Sequence, residues 1–376
     1  MINAINIISF DIPYPANYGG VIDVFYKIKE FKAKGIKVIL HCFEYGRSQS
    51  KELEALCEKV YYYKRHTGFM NNFSGLPYNV KSRISAELTK NLLSNDHPIL
   101  FEVLHTCYLL SDPRLLNRLK VYRHSNIEHD YYKHLAKSEK RLLKKIYLKL
   151  EAGKLKKFEK VINHADLILA VNECDVSYFK DKYPKVRTEF LPSFHSNNEV
   201  TINEGKGEYI LYNGNLSISE NYSAVIWLIH NVFSQLNYKV TIAGMNPPDF
   251  LISEIQKHKH VELVSNPDDR KMNDLIENAH IHVLYTEQAT GLKLKLLNVL
   301  HSGRFVICND KMLEGTGLKG NEGLIICNSG NDFVSQTDAV MKKDFTSKLI
   351  AERKSQLDKF SNKRNMEKLL GLLDKK

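Results

Sequence analysis

The six cysteines, Cys42, Cys57, Cys107, Cys174, Cys308 and Cys327, include no CxxC pair. That scatter excludes a zinc-ribbon spacing and offers no disulfide framework. It predicts reduced thiols in a cytoplasmic protein. No apolar run reaches the length of a membrane-spanning helix. Met1 to Phe10 lacks the basic start and small-residue cleavage site of a signal peptide. There is no Walker GxxxxGK[ST] loop and no DxD triplet anywhere. Tryptophan occurs once, at Trp227. With no nucleic-acid-binding motif and no interleaved aromatic platform, the chain is not expected to bind nucleic acid.

What is present is a globular composition: 376 residues, 43% of them hydrophobic, enough for two cores. The net charge of +11 is uneven. Between His129 and Ala165, eleven Lys/Arg face four acids. A solvated helix face accounts for such a segment. So does a surface that meets anionic lipid headgroups or a phosphate-bearing acceptor.

Apolar runs alternate with helical periodicity along the chain. Strands are predicted at Ile5–Phe10, Lys37–Phe43, Val60–Tyr63, Ile99–His105, Lys120–Arg123, Leu167–Val171 and Glu189–Leu191. Helices are predicted at Val21–Lys34, at Ser82–Leu93 and through the basic stretch after Glu128. A polar, strand-poor segment follows Leu191-Pro192. Alternation then restarts with strands at Tyr209–Tyr212, Lys239–Ala243, Val261–Val264, Ile281–Tyr285, Phe305–Cys308 and Leu324–Cys327. This order predicts an α/β protein of two Rossmann-like, doubly wound domains facing a cleft. The boundaries expected are 1–193 for the first Rossmann-like domain, 194–207 for a linker, 208–344 for the second Rossmann-like domain and 345–376 for a helical tail.

Chemistry concentrates where strands end. Thr290-Gly291-Leu292-Lys293-Leu294-Lys295 follows a strand and opens a helix. Free N–H groups, the helix dipole and two lysines together predict an anion, most simply a phosphate. Gly19-Gly20 precede the first helix and allow close backbone approach, although they are not a spaced GxGxxG. His105 ends one strand, and Arg123-His124-Ser125-Asn126-Ile127-Glu128 ends the next. Glu102, a carboxylate inside an apolar strand, needs a partner, and Arg123 on the neighbouring strand is a plausible mate. In the second half, Gly214 permits close approach, and Asn215 and Ser217 can hydrogen-bond a phosphate or sugar. Ser219 or Asn221 serves equally well as a helix N-cap.

Taken together, these residues resemble the GT-B glycosyltransferases, and within them the retaining family 4. Pro13-Tyr14-Pro15 with Gly19-Gly20 is similar to the family's N-terminal glycine loop. His105 falls where such enzymes place an active-site histidine. Gly291-x-Lys293-x-Lys295-x-x-Asn298 followed by Gly303 is similar to the family's G-x-x-x-K-x-x-E and G-x-x-V-V. Three positions differ. Asn215 stands where many members have Arg, Glu220 where they have Lys, and Asn298 where a Glu grips the donor ribose. Lys293 and Lys295 must then supply the charge for a diphosphate.

The resemblance implies a transferase moving a sugar from a nucleotide-sugar donor to a glycan or lipid-linked acceptor, with retention. No cofactor is expected beyond the donor, and the lack of DxD predicts metal independence. Its implied donor residues are Gly214, Asn215, Ser217, Glu287, Gly291, Lys293, Lys295 and Asn298. Its catalytic candidates are His105, His124 and Glu128. Gly19, Gly20, Arg123 and Asn126 are the candidates for the acceptor or phosphate loop. The alternatives are a sugar-nucleotide epimerase of the same fold and a lapsed GT-B binding protein. Basic charge without a span implies a cytoplasmic protein that visits the inner membrane face through the 129–165 segment.

Overall fold

A computed structural model describes residues 2–139, 141–288 and 291–374. The chain divides into two compact units. One comprises Met1–Ser196, 290–292 and Phe360–Lys376; the other comprises Asn197–Ala289 and Lys293–Lys359.

The first unit is built on seven strands: β1 (Ala4–Ser9), β2 (Lys37–Glu44), β3 (Lys59–Lys64), β4 (Ile99–Glu102), β5 (Lys120–Arg123), β6 (Leu167–Ala170) and β7 (Arg187–Phe190). They lie in the order β3-β2-β1-β4-β5-β6-β7, every pair parallel. Both faces are covered, so the strands read as continuous apolar runs with little alternation. Ile5 and Ile7 face one core, with Leu100, Val121 and the Gly19–Ala33 helix. Ile8 faces the other, with Phe101, Tyr122 and Phe179. The period of two along each strand assigns neighbours to opposite layers.

The second unit has β8 (Ile210–Asn215), β9 (Val240–Met245), β10 (Val261–Ser265), β11 (Ile281–Leu284), β12 (Phe305–Cys308) and β13 (Leu324–Ile326). Their order is β10-β9-β8-β11-β12-β13, again all parallel. Ile210, Tyr212, Val240, Ile242 and Val283 face one core, while Tyr209, Leu211 and Ala243 face the other. Trp227 stacks on Tyr285 at 4.0 Å along the edge of the larger core.

All thirteen predicted strands form, with ends shifted by a few residues. The tail expected over 345–376 does not stay together. Its first helix, Ser347–Leu357, belongs to the second unit. The Asn362–Leu373 helix returns to the first, adding Met366, Leu369, Leu372 and Leu373 to the core around Ile5 and Ile7. Polar patterning marks these helices as amphipathic but carries no record of which core each apolar face enters.

Gly244 is dictated by packing. It pairs with Gly214 across β8 and β9, and a Cβ at Gly244 would lie 1.9 Å from the Gly214 carbonyl oxygen. Gly244→Ala must shift backbone. A loss of about 3 kcal/mol is expected, the upper range for overpacking. Thermal unfolding should show a Tm lower by roughly 6–12 °C. An unchanged Tm would mean that the strands separate freely there.

Candidate functional site

In open parallel sheets, ligands bind beyond the carboxyl ends of the strands where the order reverses. The reversal falls between β1 and β4 in the first unit and between β8 and β11 in the second. Ser217, Glu287 and Gly291 lie on loops that leave these strands, and Gly19, Gly20, His105, Lys295 and Asn298 lie in the helical segments that follow them.

In the second unit, β8 ends at Gly214 and Asn215. The Asn215 side-chain oxygen accepts from the Ser217 amide at 3.1 Å and from the Ser217 hydroxyl at 2.7 Å. This turn starts the Ser219–Asn231 helix, whose N-cap is Ile218. Neither Ser219 nor Asn221 caps it. Instead Asn221 donates to the Asn215 carbonyl at 2.8 Å and accepts from Lys295 Nζ at 2.9 Å.

The helix expected near Gly291 starts later, at Leu294, with Lys293 as its N-cap. Gly291 has φ +67, a conformation that favours glycine and cannot continue a helix. Thr290 lies outside the described residues. Among the described residues no side chain caps this helix, and in its first turn the Leu296 amide donates to the Lys293 carbonyl at 2.9 Å. Lys293 bonds Glu220 at 3.0 Å, and the Thr286 hydroxyl bonds the same carboxylate oxygen. Burial alone would raise the Glu220 carboxyl, but Lys293 and Thr286 hold it below its ordinary value. Burial pushes the Lys295 ammonium down to about 8, with Glu220 opposing the shift. Glu220 thus makes a pair of lysines into a site of roughly one net positive charge.

Asn298 is half-buried, and its side-chain oxygen accepts from Asn197 at 2.8 Å. Glu287 is exposed and paired with Lys311 at 3.1 Å. Its carboxylate also accepts from the Tyr285 hydroxyl.

In the first unit, β4 ends at Glu102, short of the predicted His105. Val103 has φ +59, which is strained for a β-branched residue. It turns the chain out of the strand into the Leu104–Ser111 helical turns that carry His105. His105 Nε2 lies 3.4 Å from Glu128 and 3.5 Å from the Asn79 amide. That amide also donates to the Tyr132 hydroxyl at 2.7 Å, and Arg65 donates to Asn79 at 2.5 Å. Arg83 holds the Phe10 carbonyl at 2.9 Å and the Asn79 carbonyl at 2.7 Å. Asn79, Tyr132, Arg65 and Arg83 were missed by sequence reasoning. Arg65 and Asn79 come from a segment with no predicted element, and Arg83 from the start of the predicted Ser82–Leu93 helix, which begins only at Ala86.

Gly19 and Gly20 open the first helix, and a Cβ at Gly20 would meet Phe10 at 2.6 Å. Asn126 is half-buried after β5. Two other residues are placed otherwise than expected. His124 is fully buried, bonding Asp175 at 2.9 Å and packing on Phe179. No face of it is open to a substrate. Arg123 is buried as well, bonding Asp23 at 2.9 Å and the Leu191 and Pro192 carbonyls. Its donors are used internally, so it is not an open phosphate contact. Nor is it the mate of Glu102, which pairs with Lys27 at 2.6 Å. Asp23 lies between the two cations. Burial would raise its carboxyl, but Arg123 and Lys27 outweigh that and hold it at about 2. Asp23 and Lys27 stand four apart on the helix's apolar face, and charges there signal a buried pair.

No disulfide joins the six cysteines, four of which are buried. Among the described residues, no group of three or more His, Cys, Asp or Glu could hold a metal. None of their helices is long and apolar enough to cross a membrane.

Residues 207–343 match the model of glycosyl transferases group 1. A Klebsiella pneumoniae protein described as an uncharacterized 44.6 kDa protein in the cps region is 27% identical over 343 residues, covering 86% of this chain and 87% of that one. Sucrose-phosphate synthase from Thermosynechococcus elongatus superposes with a TM-score of 0.70 at 13% identity, covering 99% of this chain and 98% of that one. HepE from Anabaena, solved with UDP and glucose, gives 0.68 at 12% identity, with 98% and 99% coverage. TarM from S. aureus, solved with Fondaparinux, alpha-GlcNAc-glycerol and UDP, gives 0.68 at 11% identity, with 99% and 100% coverage. The protein therefore has the GT-B glycosyltransferase fold, and its second unit carries the glycosyl transferases group 1 match.

Proposed function

We propose that this protein transfers a sugar from a nucleotide-diphosphate donor to a glycan or lipid-linked acceptor, with retention and without a metal ion. The observation that carries this reading is the Lys293–Lys295 cluster at an uncapped helix start, beside the Gly214 turn, at the strand-order reversal of the second sheet. Departure of the diphosphate builds negative charge. Fixed ammonium groups and N–H donors stabilise that charge without reorganising. Gly214 and Asn215 line the phosphate side, and Asn298 is the ribose contact once it releases Asn197. UDP, present in the HepE and TarM structures, is the first nucleotide to test. In the first unit, His105 orients the donor sugar or the acceptor hydroxyl, steadied by Glu128 and Asn79. Assembly of a cell-surface polysaccharide on the cytoplasmic side is the setting that suits this chemistry.

The test is a transfer assay with a panel of UDP-, GDP- and ADP-sugars, run with and without EDTA. A glycosylated product with the donor's anomeric configuration, formed equally in EDTA, is expected. An epimerised free nucleotide, or no reaction with any donor, would sink the transferase reading. Activity lost in EDTA and restored by Mn²⁺ would sink metal independence.

A further inference from the structure

The predicted basic segment forms two helices, Glu128–Ser138 and Leu142–Phe158. The second buries Leu148, Ala152 and Leu155 in the fold. Its opposite side is not polar. Leu142, Leu143 and Leu150 are 63% to 83% exposed, and Ile146 is exposed with them. At 3.6 residues per turn, these four occupy an arc of about 100°, roughly opposite the buried stripe. Lys145 and Lys149 run along one edge of the arc, and Lys154 stands on the other, one turn beyond Leu150. Lys154 pairs with Glu151 at 2.9 Å and donates to the Asn72 carbonyl at 2.8 Å, so its charge is already met within the fold. The bond to Asn72 sets the Phe69–Phe73 turn beside the stripe, and Phe69, Met70 and Phe73 are 72% to 76% exposed.

Seven large apolar side chains open to water on adjoining segments are more than scattered surface residues. We infer that this face docks the protein on an anionic lipid bilayer. The leucines and phenylalanines would enter the headgroup boundary, and Lys145 and Lys149 would meet lipid phosphates. Charge selects the occupant. A second copy seated on the same face would set lysine against lysine, whereas an anionic surface offsets Lys145 and Lys149. The inference rests on exposed side chains of the first unit and stands whichever donor the second unit takes.

Co-sedimentation of the full chain with vesicles tests it. Binding is expected to equal parts phosphatidylcholine and phosphatidylglycerol, and not to phosphatidylcholine alone. Raised salt should weaken it. Leu142→Ser/Leu143→Ser/Leu150→Ser and Phe69→Ser/Phe73→Ser should each lower partitioning at least about tenfold with Tm unchanged, since these side chains are exposed. Lys145→Glu/Lys149→Glu should remove the preference for anionic lipid. The inference is overturned if the wild type ignores anionic vesicles or if the apolar variants bind as well as it does. A wild-type dimer in sedimentation, split by the leucine variant and indifferent to vesicles, would also overturn it.

Discussion

Lys295→Ala is expected to weaken nucleotide-diphosphate binding by about 10- to 150-fold, since a hydrogen bond to a charged group contributes about 1.5–3 kcal/mol. Lys295 leans on Asn221 and Tyr212 in a half-buried position, so alanine also leaves a gap. Lys295→Met fills that gap and should lose the same affinity. The pH dependence separates charge from packing. Burial holds this ammonium near a pKa of about 8, so it is charged below that pH and neutral above it. Wild-type affinity should therefore fall as pH rises through that value, and the Lys295→Met profile should be flat. An anion favours the protonated lysine, so binding near that pH should take up a proton. Calorimetry in two buffers of different ionisation enthalpy measures it. Unchanged affinity in Lys295→Met would move the phosphate site elsewhere.

His105→Ala should lower kcat by about 100- to 10,000-fold, the range for a positioned acid–base or orienting group. Donor KM should move far less, because the lysines proposed to hold the nucleotide lie in the other unit. Glu128→Gln keeps the shape and removes the charge 3.4 Å from the imidazole. A loss of about tenfold is expected there, as for an outer residue that orients an inner one. Steady-state kinetics with the identified donor decides it. A His105→Ala enzyme with normal kcat would leave the first unit with acceptor binding only. His124, buried on Asp175, is expected to report in Tm before kcat.

Much of this was legible in the sequence, for a local reason. A strand buried on both faces must be a short apolar run, and Gly, Asn and Pro mark its ends. That reasoning located all thirteen strands and the two polar clusters at strand ends. The Gly291 turn shows where it stopped. Two lysines at a helix start were visible, but the carboxylate that neutralises part of their charge, Glu220, lies more than seventy residues earlier. Its identity was noticed as a departure from the family, and its contact was not.

By itself, then, the sequence determined two parallel-sheet units, the strand ends that carry polar residues and the two lysines that follow the Gly291 turn at a helix start. These follow from periodicity. The tertiary structure alone decided that Glu102 pairs with Lys27, that Arg123 and His124 are buried, that His105 meets Glu128 and Asn79, and that the last helix returns to the first core. Each depends on side chains far apart in the chain. A charge or an apolar face states that it needs a partner, but which partner it finds is settled only when the elements pack.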